Sequence, residues 1–338
     1  FTGAATGLVS LMGLRLSSGI FQAGIFPACT SSFAHWFPRT ERAVASGLLT
    51  GFMSFGGAAA LALGGWLLKR EYVGWRGAFV LAGAPGLLWT LGFYWWFRNS
   101  PAEHASVTAA ELANIRAGAP NEPPRTAQES TPWRVLATSV PMWLIAGQQF
   151  FRAAGYALFA SWFPKYLQTV YHSSIEEAGV LTSIALAAVV VGSPAGGIVS
   201  DWLLARSGSR VASRKGLSIV TMLICAALFL AAGFATDSRT AVVLFTGAAF
   251  FGAIAGPTAY AITIDMGGAH VPTVFSIMNM GGNIGAALFP VVVGTLIEWT
   301  HRWDWIPAFV AGIYLAGSVL WLALDTSGTV FDQRPAQA

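Results

Sequence analysis

Apolar stretches recur along the chain between short polar turns, each near the roughly 20 residues a helix needs to cross a bilayer. They run from Ala4 to Phe37, Ala43 to Leu68, Trp75 to Phe97, Pro141 to Leu167, Ala178 to Leu204, Gly216 to Phe234, Ala241 to Ile264, Val271 to Ile297 and Trp303 to Leu324. Runs of this length predict transmembrane helices, about nine in all. Between Arg98 and Pro141 the texture becomes charged and Pro-rich, with Glu122-Pro123-Pro124-Arg125 and no long apolar run. That predicts a linker between two membrane bundles. The expected organisation is 1–97 as three helices of a first bundle, 98–140 as a cytoplasmic linker, 141–326 as a six-helix bundle and 327–338 as a cytoplasmic tail.

Composition agrees. Of 338 residues, 55% are hydrophobic and 10% charged, and the mean hydropathy is +0.60, which defines an all-α polytopic membrane protein. The net charge of +4 does not point to nucleic acid, because the basic residues sit in turns, where they set topology. One side receives Arg39, Arg42, Arg98, Arg116, Arg125, Arg134, Arg206, Arg210, Arg214, Lys215 and Arg334. The other receives Lys69, Arg70, Arg76, Lys165, Arg239 and Arg302. The richer side is expected to be cytoplasmic, with the protein spanning the inner (plasma) membrane. Tryptophans near the run ends, such as Trp36, Trp143, Trp202 and Trp305, read as an interfacial belt. Cys29 and Cys225 lie inside apolar runs and read as small buried hydrophobes, so neither a disulfide, a metal nor a cofactor is expected. The chain opens on Phe1 without a charged leader and reads as a fragment; a six-plus-six transporter without its first three helices would leave this count.

Two arginines break the apolar pattern. Arg15 falls well inside the first run and Arg152 about eleven residues into the Pro141 run. Placing such a side chain at mid-membrane costs about 2.5 to 3.5 kcal/mol on insertion scales, so it is kept where it faces a protein interior or a wet cavity. Gln149, Arg152 and Tyr156 share one helical face at i, i+3 and i+7, with Gln148 beside them. Acids are missing from the middle of every run; Asp201, Asp265 and Glu298 stand at run ends, within reach of water or headgroups. Arg152 therefore either snorkels or pairs with an acid on a neighbouring helix, or it serves an anionic ligand. A guanidinium fork matches a carboxylate better than a point charge does, which favours a small organic anion as substrate. Asn279 and Asn283, one turn apart in the Val271 run, either bond hydroxyls of such a substrate or bond between helices. Gly281 and Gly285 allow close backbone approach there, and Gly47, Gly51, Gly56 and Gly57 read as a helix contact face. SWFPK at Ser161 to Lys165 faintly echoes HWFPR at His35 to Arg39.

Several of these motifs together resemble one family. RLSSGIFQAGIFPA followed by HWFPRTERA, then ASWFPKYL, GGIVSDWLLARSGSRVASRKG and MNMGGNIGAALFPVVVGTL is similar to the anion:cation symporter family of the major facilitator superfamily, which includes galactonate and hexuronate transporters. The resemblance implies a major facilitator-type helical bundle, with Phe1 at the end of the family's third helix. It implies that Arg15 contacts a substrate carboxylate and that Asn279 lies near sugar-acid hydroxyls. It also implies that Asp201 and Arg206 form part of a charge latch on the cytoplasmic side. Seven residues after its arginine the family commonly carries a proton-accepting glutamate; here the position is Gln22, which does not titrate. Gln22 still shares a helical face with Arg15 and is a substrate-contact candidate.

The expectation is a monomeric secondary active transporter that moves an organic anion, such as a hexuronate, galactonate or another carboxylate. It would work by rocking two bundles about a midplane site, with proton or sodium as the coupling ion. The alternative is a transporter-like membrane sensor for such an anion, whose pocket would look the same. An enzyme is disfavoured, because neither HExxH nor GxSxG occurs and all five histidines fall in turns or at helix ends.

Overall fold

A computed structural model describes residues 2–68, 74–117 and 130–332. Lys69 and Arg70 of the first bundle, the Glu122 to Arg125 segment of the expected linker and Arg334 of the expected tail lie outside the described residues.

The Ala4 to Phe37 run is divided. It forms α1 (Leu8–Gln22) and α2 (Ile25–Trp36), separated because the Pro27 ring lacks an N–H and crowds the carbonyl four residues back, at Ala23. The Pro141 run breaks in the same way. Pro164 starts a second helix, so α7 (Val140–Ser161) ends at Trp162 and α8 (Phe163–Val170) follows. Between these lie α3 (Arg42–Leu68), α4 (Gly74–Trp96) and the short helices α5 (Ala109–Ala117) and α6 (Trp133–Thr138). The chain continues with α9 (Ile175–Ser207), a π-helical turn at Val211–Gly216, α10 (Leu217–Ala232), α11 (Ser238–Met266), α12 (Val271–Thr300) and α13 (Ile306–Ala323). Side chains cap several N-termini: Thr108, Ser139, Ser174 and Asp237 accept backbone N–H groups of Glu111, Met142, Glu177 and Thr240.

Among the described residues, seven spans are long and apolar enough to cross a membrane, the first being α1 and α2 together. At 22 residues α7 also has the length, but Gln148, Gln149 and Arg152 make it less apolar.

Helices α7 to α13 pack as one body around an aromatic core in which Phe229 stacks on Tyr314 and meets Phe159 and Phe245. Lipid tails are as apolar as leucine, so association inside a bilayer rests on close packing, and small residues do that work. A Cβ on Gly281 of α12 would stand 2.7 Å from the Ala146 carbonyl of α7.

The first group of helices meets the second through α3, which lies on α9 and α11, and through α2, which lies on α12. Contact is concentrated at the arginine-rich end. Ala43, Ser46 and Thr50 of α3 are buried, whereas Phe52, Met53 and Phe55 further along are exposed. Gly47 and Gly51 set the closeness: a Cβ on Gly47 would come within 2.6 Å of the Ser193 carbonyl, and one on Gly51 within 3.0 Å of the Pro194 ring. Gly56 and Gly57 have nothing within 4 Å, so the expected four-glycine contact face is confined to its first half, where the two groups still touch.

The last described segment is tied down. Val330 donates its N–H to the Met266 carbonyl at 3.0 Å and accepts from the Ser139 hydroxyl at 2.6 Å.

Candidate functional site

The polar face expected on α7 exists. Arg152 donates through Nε to Oε1 of Gln149 at 3.0 Å, and Gln149 itself is buried. Beside them a cavity of about 60 Å³ lies between the two groups of helices. Thr50, Met53 and Ser54 line it from α3, Arg152 and Tyr156 from α7, Ser193 from α9, Gly256 and Tyr260 from α11, and Tyr314 from α13. Gly256 leaves room for the guanidinium, since a Cβ there would stand 3.5 Å from Nη1. Arg152 is the one charged side chain among the residues lining this cavity. Its terminal nitrogens make no hydrogen bond among the described residues, which leaves the fork free to face a ligand. Tyr260, Tyr314, Thr50, Ser54 and Ser193 were not picked out from sequence; an alternation of hydroxyls on four separate helices has no signal along the chain.

The other expected ligand residues are not gathered there. Arg15 is exposed on α1, with its guanidinium 5.5 Å from the centre of the Phe79 ring. Gln22 is exposed and donates to the Ser18 hydroxyl at 2.9 Å. On α12, Asn279 is half-buried and Asn283 exposed, and neither lines the cavity.

At the arginine-rich end the structure builds a buried ion network. Asp201 on α9 takes Arg214 at 2.7 Å and accepts the backbone N–H of Val44 on α3 at 2.7 Å. Arg214, fully buried, also reaches Asp265 on α11 at 3.5 Å, the Ser200 hydroxyl at 2.7 Å and the Arg39 carbonyl at 3.0 Å. Asp265 in turn meets Arg42 on α3 at 3.3 Å. Asp201 and Asp265 are therefore buried and paired, not washed by water or headgroups as their run-end positions implied. The partner of Asp201 is Arg214, not Arg206, which is exposed and lies over the Trp202 ring at 5.0 Å. The cause is local: α9 runs on to Ser207, so Arg206 stays on its outer surface, while the π-helical turn swings Arg214 inward.

Two groups of helices thus meet around a cavity that holds one arginine and across a buried charge network at one end. The chain belongs to the Major Facilitator Superfamily, whose family model matches residues 1–212 and 203–337.

Three relatives give the neighbourhood. The probable sulfoacetate transporter SauU of Cupriavidus necator is 32% identical over 94% of this chain and 73% of its own length. The probable L-galactonate transporter of Escherichia coli is 29% identical, over 92% and 68%. The probable galactarate/D-glucarate transporter GudP of Bacillus subtilis is 29% identical, over 96% and 72%. Among solved structures, the proton:xylose symporter XylE matches with a TM-score of 0.66 at 15% identity, covering 94% of this chain and 71% of that one. The transporter FucP matches with 0.64 at 15% identity, over 94% and 75%. At that identity the likeness establishes the fold.

Proposed function

We propose that this transporter carries a small organic anion bearing a carboxylate or sulfonate, held at Arg152 between the two groups of helices. The observation that carries the reading is the cavity itself: one guanidinium with an open fork and no acid among the lining residues. A cation kept in a low-dielectric cavity without a counter-charge is costly, and a ligand that brings the negative charge removes the cost. Tyr156, Tyr260, Thr50 and Ser54 offer hydroxyls for the remaining polar groups of the ligand. The relatives named for sulfoacetate, galactonate and galactarate support the same chemical class, since each name is that of an organic acid.

Arg15 is the second cation of this reading, brought to the ligand from α1, with Gln22 two turns further along the same face and Asn279 and Asn283 from α12. The cavity of about 60 Å³ is well below the roughly 300 Å³ at which small-molecule sites begin. Substrate entry therefore requires the helix groups to part, which is the rocking motion expected of such a carrier. Asp201, Arg214, Asp265 and Arg42 would hold the arginine-rich end, taken as cytoplasmic, closed during one half of the cycle.

The test is uptake by full-length protein in proteoliposomes, with sulfoacetate, galactonate, galactarate and glucarate offered in turn. Saturable uptake of at least one acid is expected, lost in Arg152→Ala. Equal uptake of an uncharged sugar, or binding of an acid that never crosses, overturns the proposal; the latter outcome would mark a sensor.

A further inference from the structure

A second cavity opens at the arginine-rich end, away from Arg152. It measures about 370 Å³ and is walled by Arg39 and Arg42 from the first group of helices, and by Arg210, Asp265 and Asp332 from the second. Its acids are already engaged. Asp265 is shared by Arg42 and Arg214, and Asp332 accepts the Thr329 N–H at 2.6 Å. Arg42 is also spent, on the Ala34 carbonyl at 3.0 Å and the Phe37 carbonyl at 3.4 Å besides Asp265. Arg210 makes a long contact of 3.5 Å to the Thr326 carbonyl. Arg39 is different. Its side chain makes no hydrogen bond among the described residues, its Nε is buried without a partner, and it repels Arg42 across the cavity wall.

Of the three arginines that wall the cavity, Arg39 is the one whose side chain makes no hydrogen bond among the described residues. Buried guanidinium nitrogens without an acceptor are destabilising, and the space beside this one falls within the volume range of small-ligand sites.

We infer that this cavity is a second anion site, which takes a phosphate-type oxyanion between Arg39 and Arg210. The shared chemistry is a tetrahedral phosphate oxyanion, free in solution or carried on a lipid headgroup. Because both groups of helices supply walls, the site is complete only while the arginine-rich end is closed. An occupant stabilises that closed state by its differential affinity and slows reopening.

The experiment uses full-length protein and inorganic phosphate as the probe. In phosphatidylcholine vesicles, phosphate at the arginine-rich end is expected to raise the melting temperature and slow uptake about fivefold or more, the range of ordinary allosteric coupling. In phosphate-free vesicles containing phosphatidylglycerol, the same two effects would identify the headgroup as the source. Either arm supports the site, provided Arg39→Ala and, separately, Arg210→Gln abolish the effect. The melting shift should persist in Arg152→Ala, which separates this site from the transport cavity whether or not the substrate assignment holds. No effect in either arm, or an undiminished effect in both variants, overturns the inference.

Discussion

The carboxylate of Asp201 on α9 accepts the backbone N–H of Val44 in the first turn of α3, at 2.7 Å. That N–H is one of the donors a helix leaves unpaired at its start, where the macrodipole is positive. One acid of the second group of helices thus caps a helix of the first, while its other oxygen holds Arg214 at 2.7 Å. The bond exists only when the two groups are in contact, so it stabilises one conformation of the carrier over the other.

Asp201→Asn should therefore open the arginine-rich end. The amide loses the charge on the bond to Val44 that spans the groups, and a hydrogen bond to a charged group contributes about 1.5 to 3 kcal/mol. A loss of about 2 kcal/mol moves the closed-to-open ratio roughly 30-fold. Spin labels at Thr40 and Ser207, both exposed, in a protein with Cys29 and Cys225 replaced by alanine, would report it as a longer distance distribution. An unchanged distribution would remove Asp201 from the latch.

The network also marks where reading along the chain stops. Arg152 and its partner Gln149 were legible because three residues of one helix must share a face, and the length of the apolar runs located the long helices. The Asp201 partner was not. Arg206 is near in sequence, but Arg214 lies beyond a π-helical turn, and nothing local announces that such a turn will point inward. Arg42 and Asp265 are 223 positions apart, and their pairing depends on how α3 lands on α11. The break of the first run was not read from the sequence, although its cause, Pro27 acting on Ala23, is local; the position of Arg15 was not read either, because it depends on packing around α1.

Closure rests on shape as well as charge. A methyl at Gly47 would collide with backbone of α9 at Ser193 and Pro194, which cannot rotate away as a side chain can. Gly47→Ala is expected to shift the same Thr40 to Ser207 distance in the same direction as Asp201→Asn, with no charge altered. Gly57→Ala, which meets nothing within 4 Å, is the matched control and should leave the distance unchanged. Equal behaviour of the two variants would show that α3 and α9 do not need their close approach.

At the cavity, chemistry separates charge from geometry. Arg152→Ala is expected to lower transport efficiency for the preferred acid about 100-fold, because truncating one member of a desolvated charge pair costs about 2 to 5 kcal/mol. Arg152→Lys keeps the charge but loses the planar fork and should fall between that variant and the native protein. Arg15→Ala tests the second cation: abolished uptake with normal membrane insertion is expected, measured by initial rates normalised to protein inserted. Full transport by Arg15→Ala would leave Arg152 as the sole anion anchor.

The last expectation concerns protons. Among the residues lining the Arg152 cavity there is no aspartate, glutamate, histidine or lysine, and Gln22, where the family commonly has a glutamate, bonds to Ser18 instead of titrating. A symporter that takes up its proton at the substrate site needs a group that changes charge in the mildly acidic to neutral range, which an amide, a hydroxyl and a guanidinium do not. With the substrate itself fully ionised, initial uptake into proteoliposomes should change by less than about twofold when an inward pH gradient is imposed or collapsed with an ionophore. Gln22→Glu should make the response steeper if α1 brings this position to the ligand. A native protein that is strongly driven by the gradient would place the coupling acid outside the cavity described and would separate proton uptake from the site at Arg152.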